Sequence, residues 1–178
     1  MFFVKRTQRI EFFIAAHGFK DAEYHKVIEE EFKKDGLIEA GIYSYLETDT
    51  SIYEYFASYG EDADYVIFSE SNIKELKEYL VDNYYDVSTL VEDIPSIAHF
   101  ETYKYEDDKP YGIKIFDGQN EEYNSKFTFS DLITFTSEGK ENESYYLLID
   151  NKSPHFDKEH NHVLGYSILE YFLSTHEK

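Results

Sequence analysis

The sequence predicts an α+β fold: one acidic domain over residues 1–178, with a mixed or antiparallel sheet, helices packed on one side, strand/helix alternation in the first half and a β-meander plus closing helix in the second. Three observations carry this. A chain of 178 residues is the length of a single domain, and 42% hydrophobic and 19% aromatic content is enough for a core. Residues 9–94 alternate strand-like and helix-like apolar patterns. Residues 97–150 read as short strands broken by turn signals, and an amphipathic segment follows them.

In chain order, residues 9–16 form the first expected strand, with Ile10, Phe12 and Ile14 on one side. A helix follows. Asp21 suits its N-cap; Tyr24, Val27, Ile28 and Phe32 recur at helical spacing, and Gly36 suits the C′ position. Residues 37–46 are a strand candidate. Ser51 and Glu54 make a capping-box pattern ahead of an Ile52, Tyr55, Phe56, Tyr59 stripe that Gly60 closes. Residues 65–68 read as a short buried strand. Ser71 or Asn72 opens a helix whose apolar positions are Ile73, Leu76, Leu80 and Tyr84, and a helical turn covers Leu90, Val91 and Ile94 before Pro95, the one candidate seam. In the second half, strands are expected at 97–105, 111–116, 126–129, 132–136 and 145–150. Asp117-Gly118 and Ser137-Glu138-Gly139 mark turns. Ser167 with Glu170 reads as a capping box for the closing helix.

The formal net charge is −20, from 37 acidic and 17 basic residues. It is concentrated. From Asp35 to Glu101 sixteen carboxylates face two lysines, Lys74 and Lys77, and nine tyrosines are interleaved. Abundant aromatic and β-branched residues separate this stretch from a disordered acidic tail. An anionic membrane surface or a nucleic acid would be repelled. There is no cysteine, so no disulfide framework and no thiolate chemistry, which fits a reducing cytoplasm. The first nine residues place Lys5, Arg6 and Arg9 after the apolar residues with no long apolar run, unlike a signal peptide. No stretch approaches the ~18 apolar residues of a membrane span.

Catalytic signatures are absent. Neither a phosphate-binding glycine loop nor a Gly-x-Ser-x-Gly elbow occurs, and Ser167 reads as a cap rather than a nucleophile. His155, Asp157, His160 and His162 are metal-ligating types crowded into eight residues, but their spacing matches no helical ligand pair. The carboxylate pairs Asp62/Asp64, Glu47/Asp49 and Glu92/Asp93 lack a calcium-loop spacing. No catalytic residue, metal or cofactor is therefore assigned.

What remains is an interaction surface. Carboxylates pair with arginine and lysine, and tyrosine supplies contact area at low entropic cost. The expected partner-binding residues are Glu47, Asp49, Tyr53, Glu54, Tyr59, Glu61, Asp62, Asp64, Glu70, Glu75, Glu78 and Asp82. The function expected of them is non-enzymatic: an inhibitor that neutralises a basic nucleic-acid-binding enzyme, a nuclease for example, by presenting carboxylates where phosphates would sit. Anti-restriction and anti-CRISPR proteins of phage, and immunity proteins for nuclease toxins, are of this kind. The protein itself would be a monomer or homodimer touching neither nucleic acid nor membrane. The alternative is a small metal-dependent hydrolase or ligand-binding enzyme built on the histidine cluster.

Charge density sets a condition on mimicry. Spread over a folded surface of about 9,000 Å², the net charge gives one unit per ~450 Å², against about one per 110 Å² on a nucleic-acid duplex. The acids must therefore gather on one face.

The segments Asp131-Leu-Ile-Thr-Phe, Tyr145-Tyr-Leu-Leu-Ile-Asp150 and Ser167-Ile-Leu-Glu-Tyr-Phe172 resemble the terminal strands and helix of the SUKH superfamily of toxin-immunity proteins. The resemblance spans about a quarter of the chain and lacks that family's earlier glycine and Leu-Pro signature. It implies immunity rather than phage inhibition.

Overall fold

Three unbroken apolar runs organise the molecule: residues 12–16, 65–68 and 145–149. In the computed structural model, which describes residues 3–44, 54, 56–57, 60, 62–135 and 142–178, each run forms half or more of a strand that is buried along nearly its whole length. They are β1 (Arg9–Ile14), β4 (Tyr65–Ser69) and β8 (Tyr145–Ile149). These strands occupy the middle of a six-stranded sheet whose order is β3-β1-β4-β8-β6-β5. β3 (Glu39–Ser44) and β4 flank β1 and run parallel to it. β8 is antiparallel to both β4 and β6 (Pro110–Phe116), and β6 is antiparallel to β5 (Thr102–Lys104). The sheet is therefore mixed, in an α+β domain.

Strands this apolar must be covered on both faces, and they are. One core joins Ile10, Phe12, Ile14, Tyr65, Ile67, Leu147 and Ile149 to helices α1 (Tyr24–Phe32) and α6 (Leu164–Thr175). Alternate residues of the same strands, Phe13, Ala15, Val66, Phe68, Tyr146 and Leu148, pack with Ile73, Leu76, Leu80 and Tyr84. Those four lie on and just after α2 (Glu70–Glu75) and α3 (Lys77–Asn83). Helices thus cover both faces of the sheet, not the one side expected from reading only Ile10, Phe12 and Ile14 as inward. Phe13 and Ala15 needed cover as well.

The first half alternates strand and helix as read. Asp21 organises the start of α1, its Oδ1 accepting from the Glu23 N–H at 2.9 Å, although Glu23 holds the cap position itself. Gly36, at φ 91°, closes the turn that ends this segment, in the left-handed region that favours glycine. The capping pattern at Ser51 lies outside the described residues.

The second half departs more. Residues 95–99 form a 3-10 turn, which shortens the expected strand to Thr102–Lys104. After β6 the chain leaves the sheet to form α4 (Glu121–Asn124), α5 (Phe129–Leu132) and β7 (Ile133–Thr134). β7 pairs with β2 (Gly18–Phe19) in a separate two-stranded sheet. The expected strand at 126–129 is absent: Phe127 makes only a single bridge to Glu177. Spatially, β5, β6 and β8 are the expected meander.

Ser167 does not cap the closing helix, because α6 begins three residues earlier, at Leu164. Glu170 turns instead to the 3-10 segment at Pro95–His99. Its two oxygens accept from the Ser96 N–H at 3.1 Å and the Ser96 hydroxyl at 2.6 Å.

Candidate interaction surface

The α2–α3 segment carries a coherent share of the acidic surface among the described residues. Ser69 caps α2: its Oγ accepts from the Asn72 N–H, and Asn72 Oδ1 accepts from the Ser69 N–H. The sequence reading placed this cap two or three residues too late. The helix breaks at Leu76, which has φ −97° and ψ 12°, and resumes as α3. Ile73, Leu76, Leu80 and Tyr84 at three- and four-residue spacing turn inward. The positions between them include Glu75, Glu78, Tyr79 and Asp82, which are exposed, as are Lys74 and Lys77 and Val81 at 47%. Three carboxylates, two lysines, one tyrosine ring and one valine thus face solvent. Lys74 lies 3.2 Å from Glu70, but a pair this exposed stabilises little and neutralises only locally.

The acidic character continues toward the β5–β6 edge. Tyr111 donates to Asp107 Oδ2 at 2.7 Å. Its hydroxyl is pushed up to about 12 by burial, by that bond and by the charges of Asp107, Asp86 and Asp82. Burial, with Glu70 and Glu106 adding to it, also raises Tyr103. Tyr103 packs edge-on to Tyr146 at 5.3 Å, and Tyr105 to Tyr111 at 6.3 Å. Acids from two separate stretches therefore act on one group of tyrosines.

The other expected partner-binding residues divide. Glu54 and Asp62 are exposed, and Glu70 is half-buried beside Lys74. Glu47, Asp49, Tyr53, Tyr59 and Glu61 lie outside the described residues. Asp64 does not belong to the surface: it is 0% exposed. Both its oxygens meet Arg6, at 2.8 and 3.1 Å, and they also accept from the Glu11 N–H at 2.8 Å and the Ser153 hydroxyl at 2.5 Å. Arg6 further donates to the carbonyls of Asp62 and Arg9. This carboxylate fastens the chain ahead of β1, the head of β4 and the loop after β8. An acid immediately before the doubly buried run Tyr65–Ser69 can remain charged only if paired. That was the sequence signal for its role.

Other acids of the 35–101 stretch are dispersed. Glu39 faces Arg9 at 3.8 Å, Asp93 binds Lys158 at 2.7 Å, and Glu101 binds Lys114 at 2.6 Å. The wall expected from the whole stretch is in fact a patch on α2–α3 extended to the β5–β6 edge.

The C-terminal histidines do not converge. His155 is fully buried, and its Nε2 contacts the Arg9 carbonyl at 2.6 Å. His160 pairs instead with Asp157 at 2.7 Å, which lowers the Asp157 carboxyl. Among the described residues no group of three or more His, Cys, Asp or Glu side chains is placed to hold a metal ion. Asp150 went unnoticed in the sequence. Burial, with Asp64 nearby, pushes its carboxyl up to about 6 despite the bond it accepts from the Lys152 N–H. Together with Asp62, Tyr79 and Asn83 it lines a cleft of about 330 Å³ beside α3. Among the described residues no helix is long and apolar enough to cross a membrane. No protein-family model, curated protein or solved structure matches this chain.

Proposed function

We propose that this protein is a non-enzymatic, cytoplasmic inhibitor. It binds a basic nucleic-acid-binding enzyme, a nuclease in the leading case, through the α2–α3 surface. The observation that carries the reading is the shared solvent side of Glu75, Glu78, Tyr79 and Asp82, on a chain of net charge −20. Carboxylates at helical spacing offer the guanidinium and ammonium groups of a nucleic-acid site a substitute for phosphate oxygens. Tyrosine supplies apolar contact among them, and the global field accelerates encounter at low salt. The patch is smaller than a duplex face, so the reading requires a local block of the partner's site rather than imitation of a long helix.

The test is inhibition of cleavage. Purified restriction, CRISPR-associated and toxin nucleases of basic pI are assayed on DNA or RNA with increasing amounts of the protein. The proposal expects stoichiometric inhibition of at least one enzyme, weakening as salt rises from about 50 to 300 mM. No inhibition across the panel, or inhibition indifferent to salt, contradicts it. The metal-hydrolase alternative has no supporting geometry among the described residues, where no group of three or more His, Cys, Asp or Glu side chains is placed to hold a metal ion.

A further inference from the structure

The cleft beside α3 is assembled from three parts of the chain: Phe56 and Asp62 ahead of β4, Tyr79, Asn83 and Tyr84 at the end of α3, and Asp150 and Lys152 after β8. Its volume of about 330 Å³ falls in the ~300–1,000 Å³ range of sites that enclose a ligand group.

Its two carboxylates lack a counter-charge. Asp62 is exposed, and only its backbone carbonyl is engaged, by Arg6. Asp150 is half-buried. Its Oδ1 accepts from the Lys152 N–H at 2.7 Å, while its Oδ2 has no hydrogen-bond partner among the described residues and keeps contact with solvent. Lys152, the cation on the wall, is turned elsewhere: its Nζ donates to Asn83 Oδ1 at 2.6 Å. Asn83 is fixed in turn, its side-chain amide donating to the Tyr79 carbonyl at 2.8 Å. Burial pushes the Asp150 carboxyl up to about 6, with Asp64 adding to the rise and Lys152 and Arg6 opposing it. A carboxylate so placed gains most from a cation that carries its own apolar body.

The rest of the wall selects among cations. Tyr79, 38% exposed, belongs both to the cleft and to the acidic α2–α3 surface, and Phe56 and Tyr84 line the cleft beside it. A divalent metal takes about six or more oxygen ligands, and among the described residues no group of three or more His, Cys, Asp or Glu side chains is placed to hold one. An ammonium is compact and strongly hydrated, so aromatic walls add little to its binding. A guanidinium is flat and weakly hydrated; its fork can serve carboxylates on two sides while its face lies against a ring.

We propose that this cleft receives one arginine side chain of the basic partner, its guanidinium meeting Asp62 and Asp150 and its stem lying along Tyr79. The source of the side chain rests on the inhibitor reading; the choice of arginine rests on the cleft alone.

The test separates the two. The intact protein is titrated with Nα-acetyl-arginine methylamide to about 50 mM, a range suited to a single side chain, at constant ionic strength. Carbon-13 NMR follows the side-chain carboxyls of Asp62 and Asp150. Both signals should move saturably. The lysine analogue should bind at least about threefold more weakly, and the uncharged citrulline analogue should move neither signal. For a nuclease that the protein inhibits, Asp62→Asn/Asp150→Asn should raise the dissociation constant at least about tenfold at pH 7.5, with cooperative melting retained. Absence of a saturable shift with the arginine probe overturns the inference, as does citrulline binding equal to arginine. A double variant that holds an inhibited nuclease within twofold of the wild type also overturns it and leaves the inhibitor reading standing. If the probe binds but no nuclease is inhibited, the inhibitor reading falls and the cleft's choice of arginine stands.

Discussion

Asp64 and Asp150 lie one hydrogen bond apart along the backbone, the Asp150 N–H donating to the Asp64 carbonyl at 3.0 Å, yet their carboxyls have different surroundings. Asp64 has Arg6, Ser153 and a backbone N–H around it. Asp64→Asn leaves the guanidinium without its counter-charge. Because Arg6 is about a third exposed (side chain 37%), the expected loss is about 2–4 kcal/mol, discounted from the ~3–5 kcal/mol of a fully buried pair broken at one partner. Urea unfolding measures it, and a loss under about 0.5 kcal/mol contradicts the clamp.

Asp150 is raised to about 6 from an ordinary 3.8. Its stabilising contribution is fully present below 3.8 and is lost as pH rises through 6. His155 and His176 act in the other direction. Burial lowers both from an ordinary 6.5, so their contribution is present above 6.5 and is lost as pH falls below it. Asp150→Asn should therefore stabilise the protein at pH 8 and steepen its loss of stability between pH 6.5 and 5. Melting curves across pH 4–8 read both effects; parallel profiles for variant and wild type contradict the assignment. Neither acid's role was legible from residue type alone. What separates a surface carboxylate from a buried one at position 64 is the arginine 58 residues earlier in the chain.

At the scale of elements, local periodicity was a good guide where one face decided the structure. It located α1, the apolar stripe of α2–α3 and all three central strands. It misjudged caps, because a Ser-x-x-Glu spacing does not reveal which backbone the glutamate reaches. Glu170 bridges to Ser96 across 74 residues, whereas Ser167 is exposed within α6. Glu170→Ala should cost about 1–3 kcal/mol through lost charge-assisted bonds, and Ser167→Ala less than about 0.5 kcal/mol; chemical denaturation separates them. Equal effects would restore the capping-box reading. Periodicity also missed the second face of the sheet. Runs such as Tyr145-Tyr-Leu-Leu-Ile149 do not alternate, and a strand with no polar side has to be covered twice. Gly165 shows how closely α6 packs on the loop before it: a Cβ there would lie 2.5 Å from the Phe156 ring.

For the whole molecule, charge was legible in amount and in part of its placement. The sequence concentrated acids between residues 35 and 101, and the α2–α3 surface keeps a coherent share of them. The fold disperses others to lysine and arginine partners and buries one. A net charge of −20 also repels itself. Raising ionic strength from 0.01 to 0.15 M, which shortens the screening length from about 30 to 8 Å, should raise the melting temperature. A flat or falling profile would mean that the fold has already balanced its charges.

The central claim is that Glu75, Glu78 and Asp82, with Tyr79 among them, receive a basic partner. Its most direct test is the dissociation constant for an inhibited nuclease, measured at 100 mM salt for the wild type and for Glu75→Lys/Glu78→Lys/Asp82→Lys, with Asp64 left intact so that the fold survives. The account predicts a weakening of at least about a hundredfold, roughly 2.7 kcal/mol, with an unchanged circular dichroism spectrum and melting cooperativity. Binding within threefold of the wild type in a folded triple variant would contradict it.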